Sequence, residues 1–199
     1  MLASFDEQWQ ASDDYWNELL TDAYTPGHGD YLSGGMPQFH TTDNDIRRFY
    51  HFGVVTALML LKRDPDCFCK SNLYVTAMPD ADYGTSCYLW DLGYASNVLA
   101  MLDPDALRTI VEHWAKLGTH SMLSFRYDTG ERLFPGRFYA SNGSMFFLAA
   151  WNYLNFSGDD AWLDKQIAGK TMLQHLHDAA NWHNTRPQWN GLAHYGEEA

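Results

Sequence analysis

The chain has 199 residues, of which 46% are hydrophobic and 19% charged, so it has the length of one domain and enough apolar side chains for a sizeable core. Its 13 basic and 25 acidic residues give a formal net charge of −12, and lysine and arginine never cluster beyond adjacent pairs. This distribution argues against nucleic acids and anionic membrane surfaces as partners and leaves neutral ligands open.

The N-terminal part predicts a helix, a loop and a second helix. Residues 4–23 place Phe5 and other apolar residues at helical spacing, so we expect an amphipathic helix there. Residues 25–40 are rich in glycine and proline and predict a loop. The second helix is expected to begin at Thr42 or Asp43, because either side chain can accept hydrogen bonds from the first helical turn.

The middle of the chain predicts one irregular segment and two further helices. The second helix is expected to end near Pro65, since proline cannot continue a helix. Residues 72–90 combine a β-prone stretch with turn-forming residues, which predicts extended segments or a loose hairpin. The two helices that follow are separated at Asp103, the natural N-cap of the later one, and Pro104 takes its first position.

The C-terminal part alternates a hairpin with helices. Residues 124–136 contain a turn between β-prone pieces and predict a hairpin. Residues 144–158 are apolar nearly all round and predict a helix that is buried on most sides. Residues 159–184 predict one long amphipathic helix, and residues 185–199 predict a loop.

These elements together predict an all-α fold. Six helices form three pairs, which are joined alternately by short breaks and by long loops with short β-hairpins. Stacked helix pairs need neighbours to cover their apolar faces. We expect residues 1–199 to form a single domain, in which residues 1–40 supply an N-terminal helix and loop.

No motif for a cofactor, a metal or a targeting signal is found in the sequence. Three cysteines, two of them in the run CFC, fit buried thiols in a reducing compartment better than a zinc site with four ligands. No HExxH, paired CxxC or phosphate-binding loop occurs, so we predict no metal and no cofactor. No secretion signal is visible and the longest apolar run, residues 54–61, is too short to cross a membrane, which predicts a cytoplasmic location.

One charged residue lies within an apolar stretch. Asp91 sits between Trp90 and Leu92 near the start of the third predicted helix, and charged residues rarely occupy such a run without a partner. It either accepts hydrogen bonds from the helix amides or binds a ligand. The eight Trp, twelve Tyr and eleven Phe residues suit either a large core or a sugar-binding cleft, because the C–H faces of sugars lie flat on aromatic rings.

Two runs of the sequence resemble a known family. They are YLWDLGYASNVLAMLDPDALRTIVEHW, residues 88–114, and GRFYASNGSMFFLAAWNYLNFSGDDAWLDKQ, residues 136–166. In their order and character they resemble the (α/α)6-barrel, or six-hairpin, glycoside hydrolases, in particular the trehalase and the glucosidase/mannosylglycerate-hydrolase-like groups. The resemblance covers residues 40–199 and implies helical hairpins of such a barrel.

The resemblance implies a subsite for a small neutral carbohydrate. In this family a Trp–Asp pair lines the subsite of the sugar that is cleaved, and Trp90 and Asp91 match that pair. The carboxylate would accept hydrogen bonds from two sugar hydroxyls, and the indole would supply an apolar wall. The further substrate-binding residues that it implies are Arg137, Tyr139, Asn142 and Tyr88. The alternatives are a surface ion pair for the arginine and simple packing for the other three.

The resemblance also implies O-glycosyl hydrolysis of the inverting α-glycosidase type. Such enzymes use two carboxyl groups, one as general acid and one as general base. The general acid of the family lies in a loop after about the sixth helix, here residues 185–199, where Glu197 is the candidate; no residue stands out as the base. A fraying terminus cannot hold a desolvated acid, so we expect little or no hydrolysis by the isolated chain.

A barrel of this family has twelve helices, whereas six are predicted here. An incomplete barrel leaves apolar inner faces open to water, so we expect a partial domain, the N-terminal half, which self-association or a C-terminal half would complete. Two other interpretations are a non-catalytic carbohydrate-binding or interaction module, and a helical scaffold whose aromatic residues only pack. The scaffold predicts no concave cluster of Asp91, Trp90 and Arg137.

Overall fold

A computed structural model of the chain describes residues 4–29, 32–63, 67–70, 72–76 and 85–185, and the backbone of 188–189 and 192–193. Within these ranges the protein is mostly helical, with short antiparallel strand pairs in the connections. This content fits the predicted all-α class. No helix in the same ranges is both long enough and apolar enough to cross a membrane.

The first two helices begin at strong local caps. Helix α1 (Phe5–Tyr24) starts with a capping box, in which Ser4 and Glu7 each accept a hydrogen bond from the other's backbone amide. Helix α2 (Asn44–Met59) is capped by Asp43, whose carboxylate accepts hydrogen bonds from two first-turn amides at 2.9 and 3.1 Å. Of the two predicted N-caps, the structure therefore selects Asp43.

Helix α2 ends earlier than Pro65 requires. Leu61–Lys62 form strand β1, which pairs antiparallel with strand β2 (Leu73–Tyr74). The amide of Val75 donates to the carbonyl of Leu60 at 3.0 Å and continues this pairing. Leu73 and Tyr74 are almost completely buried, and burial of this β-prone segment outweighs a further helical turn.

A single residue joins helices α3 (Leu89–Leu102) and α4 (Pro104–Leu117). The backbone amide of Asp103 donates to Leu99 at the end of α3 at 2.7 Å, and its Oδ1 accepts a hydrogen bond from the amide of Ala106 in α4 at 3.0 Å. The other carboxylate oxygen accepts from Asn72 at 2.7 Å. The predicted break, with its N-cap and first-position proline, is confirmed.

One strand before α3 and two strands after α4 form a three-stranded antiparallel sheet. It consists of β3 (Ser86–Tyr88), β4 (Ser124–Arg126) and β5 (Arg132–Leu133) in that order. The turn between β4 and β5 contains Gly130 at a φ of +70°, a conformation that glycine adopts without strain. The hairpin predicted within residues 124–136 is confirmed.

Helix α5 (Asn142–Ser157) is buried on one face only. Phe146 and Ala149 are fully buried, whereas Phe147 and Trp151 are 46% and 54% exposed. Helices α3 and α4 pack against the buried face, and the described residues leave the opposite face open. The prediction of burial on most sides is therefore wrong.

The long helix predicted over residues 159–184 is also wrong. A short 3-10 helix (Asp160–Asp164) is followed by strands β6 (Gln166–Ile167) and β7 (Lys170–Thr171) and then by helix α6 (Met172–Asn181). The turn between β6 and β7 places Ala168 and Gly169 at φ values of 48° and 86°, which no helix allows.

The C-terminal residues include a further strand pair. A second 3-10 helix (Trp182–Thr185) ends α6, and strand β8 (Gln188–Trp189) pairs antiparallel with β9 (Leu192–Ala193). The prediction of loop throughout residues 185–199 is thus wrong for these four strand residues and for Thr185.

The core lies where α3, α4 and α5 meet, and α6 also packs against α5. Leu92, Ile110, Trp114 and Phe146 are almost completely buried there. Helices α3 and α5 are in close contact at Gly93, where an added Cβ atom would lie 2.5 Å from the Sδ and 2.9 Å from the Cβ of Met145. A side chain at residue 93 would therefore force Met145 or the helices to shift.

Candidate functional site

The junction between strand β3 and helix α3 forms one wall of a concave site. Tyr88 ends the strand, and Trp90 and Asp91 lie in the first turn of the helix. Thr76 and Tyr139 complete the lining of a cavity of about 400 Å³. We call the site formed by these five residues the Asp91 cleft.

Backbone hydrogen bonds hold this junction in place. The amide of Thr76 donates to the carbonyl of Ser86 at 2.9 Å, and the hydroxyl of Thr76 accepts a hydrogen bond from the amide of Tyr88 at 2.6 Å. Tyr88 also occupies the N-cap position of α3, where no side chain caps the helix. The start of α3 is therefore fixed by the neighbouring strand segment rather than by a capping residue.

Aromatic rings form the apolar part of the site. The ring centroid of Trp90 lies 5.7 Å from that of Tyr94 and 6.3 Å from that of Tyr139, with edge-on geometry in both pairs. Trp90 is 43% exposed. This exposure leaves part of the indole accessible to a ligand.

The carboxyl of Asp91 is open to the cleft and yet partly desolvated. Its side chain is exposed, but burial by the surrounding walls raises the pKa of Asp91, against a smaller effect of the hydrogen bond from its own backbone amide. Burial also raises the pKa of Tyr139, with smaller contributions from Tyr88 and Asp91. A carboxyl group on a concave wall is both accessible to a ligand and partly desolvated, as Asp91 is here.

The structure brings together four of the residues that the sequence suggests for substrate binding, and it places two elsewhere. Arg137 is exposed on the loop before α5 and does not line the cleft. Asn142 is fully buried at the start of α5, where its amide donates to the carbonyl of Thr119 at 2.8 Å. A ligand cannot reach it, so its contacts are those of a structural residue. Glu197 lies outside the described residues.

Sequence reasoning missed Thr76 and Tyr94. Thr76 follows the β-prone run of β2, and its place beside Tyr88 depends on a pairing across residues 77–84, which sequence periodicity does not reveal. Tyr94 lies one helical turn after Trp90 and so could have been found from helical spacing. Thr76 adds a hydroxyl group to the lining of the cleft, and Tyr94 contacts the indole edge-on.

The described lining offers one carboxylate, three hydroxyl-bearing side chains and an indole face. Such a set suits a neutral ligand that has hydroxyl groups on its rim and an apolar face. No second carboxylate is among these lining residues, and no group of three or more His, Cys, Asp or Glu side chains in the described part of the chain is arranged to hold a metal ion.

Comparison of the chain with protein-family models, with curated proteins and with solved structures gave no match.

Proposed function

We propose that this chain is part of an (α/α)6-barrel glycoside hydrolase of the trehalase or glucosidase/mannosylglycerate-hydrolase type, and that it holds a small neutral sugar in the Asp91 cleft. The observation that supports this proposal is the concave cluster of Asp91 with Trp90 and Tyr139 at the N-terminal end of α3. The exposed carboxylate beside an open indole offers the two kinds of contact that a sugar ring needs.

Each part of the cleft has a separate role in this proposal. The ionised Asp91 accepts hydrogen bonds from two adjacent sugar hydroxyls, and such charge-assisted bonds contribute about 1.5–3 kcal/mol each. Trp90 stacks on the C–H face of the ring. The hydroxyls of Tyr88 and Tyr139 serve the remaining polar groups on the rim of the ligand.

Exposed apolar faces support the proposal that further helices complete the barrel. On α2, Ile46, Phe49 and Phe52 follow one another at three-residue steps and are 50–79% exposed. On α5, Phe147 and Trp151 form a second exposed stripe. Faces of this kind are usually covered, and either more of the barrel or a second copy would cover them.

Hydrolysis requires a second carboxyl group besides a sugar-positioning one. In our proposal Glu197 is the candidate general acid, Asp91 only positions the sugar, and the isolated chain has little or no turnover. A non-catalytic carbohydrate-binding module is the second candidate. The absence of another carboxylate among the described residues of the Asp91 cleft favours that alternative.

The test is sugar binding by the purified chain, measured by tryptophan fluorescence and calorimetry with glucose, mannose and trehalose. We expect Asp91→Asn to weaken binding at least about tenfold, the equivalent of one lost charge-assisted hydrogen bond. Asp164→Asn, which changes an exposed aspartate on the 3-10 helix before β6, is the matched control and should bind as wild type.

The pH dependence gives a second readout. The pKa of Asp91 is raised and the ionised form accepts the hydrogen bonds, so affinity should fall as the pH drops through that raised pKa, and Asp91→Asn should lose this dependence. Equal affinity of Asp91→Asn and wild type would contradict the proposal. Glycoside turnover that is abolished by Glu197→Gln would show a complete enzyme, and binding without turnover would favour the binding module.

A further inference from the structure

Two cysteine sulfurs are in contact in the turn between β1 and β2. The Sγ atoms of Cys67 and Cys69 lie 3.2 Å apart. The amide of Lys70 donates to the carbonyl of Cys67 at 3.1 Å and closes a tight turn around them. The turn therefore places both thiols on the same side of the backbone.

At this distance the two sulfur atoms are in van der Waals contact but are not bonded. A disulfide has an S–S length of about 2.05 Å, so the two sulfurs need to approach each other by roughly 1 Å. A side-chain rotation within the turn supplies such a movement.

The two thiols differ in access. Cys69 is partly exposed, whereas Cys67 is 2% exposed. Thiol–disulfide exchange begins at the sulfur that a small disulfide can reach, and here that sulfur belongs to Cys69. Cys67 then lies within reach as the resolving thiol.

The third cysteine has a different environment. Cys87 is buried on β3, and its thiol donates to the carbonyl of Tyr74 at 3.4 Å. Burial raises the pKa of Cys87, which keeps it a thiol at neutral pH. Cys87 is therefore an internal control, a thiol in the same chain that is not expected to react.

We propose that Cys67 and Cys69 form a dithiol site that exchanges with low-molecular-weight disulfides and closes to a bridge within the turn. The thiolate of Cys69 attacks one sulfur of the small disulfide, forms a mixed disulfide and releases one small thiol. The thiolate of Cys67 then attacks the sulfur of Cys69 and releases the second small thiol. Two protein thiols are oxidised, one small disulfide is reduced, and the two protons leave with the released thiols.

The bridge would act on an aromatic contact of the core. Phe68 lies between the two cysteines, and its amide donates to the carbonyl of Asp128 at 2.9 Å. Its ring centroid lies 4.1 Å from that of His113 on α4. The redox state of the turn is therefore coupled to the β4–β5 hairpin and to α4.

The experiment equilibrates the purified chain with mixtures of reduced and oxidised glutathione, quenches it with acid and maps it after trypsin cleavage. Residues 64–70 form one tryptic peptide that holds both cysteines, while Cys87 lies in another. We expect the first peptide to lose two hydrogen atoms without any adduct. Cys67→Ser should instead stop at a glutathione adduct on Cys69.

Cys87→Ser is the matched control and should close the bridge at the same glutathione ratio as wild type. A stable glutathione adduct on the wild-type peptide, a bridge that includes Cys87, or no reaction at any ratio would each overturn the proposal. Because the wild-type peptide alone gives the main result, a variant that fails to fold leaves the test intact. Sugar binding is measured separately, so either proposal can fail without the other.

Discussion

Helices α1 and α2 on one side, and helices α3 and α5 on the other, are specified in opposite ways. Helices α1 and α2 begin at side-chain caps, yet α2 buries only Val54 and Leu58. Helices α3 and α5 have no side-chain cap, yet each buries at least six residues. Local hydrogen bonding thus defines the first pair and tertiary packing defines the second. A helix that buries little depends on its caps.

The same comparison explains the high aromatic content. In the central region Trp114 and Phe146 fill the core, whereas Phe49 and Phe52 in α2 lie mostly in solvent. An aromatic residue count therefore does not distinguish core residues from open surface.

The largest expected effect comes from truncating one phenylalanine in each region. Phe146→Ala removes a fully buried ring on α5 and should lower the free energy of unfolding by about 3–5 kcal/mol. Phe49→Ala removes a ring that is 79% exposed and should change it by at most about 0.5 kcal/mol. Urea unfolding followed by circular dichroism measures both. Similar losses in the two variants would show that the N-terminal stripe is covered.

Alanine substitutions of two glycines, one in α3 and one in α2, should change the stability by intermediate amounts and in opposite directions. Gly93→Ala places a methyl group against Met145 at the α3–α5 crossing and should cost about 1–3 kcal/mol. Gly53→Ala adds a methyl group to α2 where no described atom outside the helix's own backbone and the two adjacent residues lies within 4 Å, and should stabilise the protein by up to about 1 kcal/mol. Thermal unfolding should therefore give a lower midpoint for the first variant and a higher one for the second. A shift of the same sign in both would contradict the comparison.

The smallest effect concerns the caps themselves. Asp43→Ala removes two hydrogen bonds to the first turn of α2 and should cost about 1 kcal/mol. Ser141→Ala at the start of α5 removes a hydroxyl that makes no capping bond and has no hydrogen-bond partner among the described residues; it should be neutral or slightly stabilising. Hydrogen exchange of the two helix starts should show faster exchange only in α2. Faster exchange in α5 would mean that Ser141 does cap it.

Sequence reasoning succeeded where local chemistry decides the structure. Asp103 with Pro104 stops one helix and starts the next through bonds within a few residues, and the N-cap Asp43 works in the same way. The prediction of one helix over residues 159–184 failed because the helical periodicity continues across Ala168 and Gly169, where the chain turns instead. The packing of β6 and β7 on neighbouring elements is not encoded in that periodicity.

The same distinction holds for the site. Tyr88, Trp90 and Asp91 lie together because they are sequence neighbours at a strand–helix junction, so one local motif is sufficient to find them. Arg137 lies on the loop before α5 and Asn142 at the start of α5. A sequence motif that includes these residues does not fix the orientation of their side chains. Asn142 instead ties α5 to the segment after α4 through a buried amide. Tertiary orientation, rather than residue type, decides such cases.

The one-residue link at Asp103 limits which length changes the chain tolerates. A residue inserted into the first turn of α4, directly after this link, would rotate the following helical positions by about 100° about the helix axis, and would carry Leu107, Ile110 and Trp114 away from the core. Insertion or deletion of residues should therefore prevent folding at this position, whereas the long connection before α2 should tolerate it. Length variation among descendants of this sequence is expected to respect that boundary.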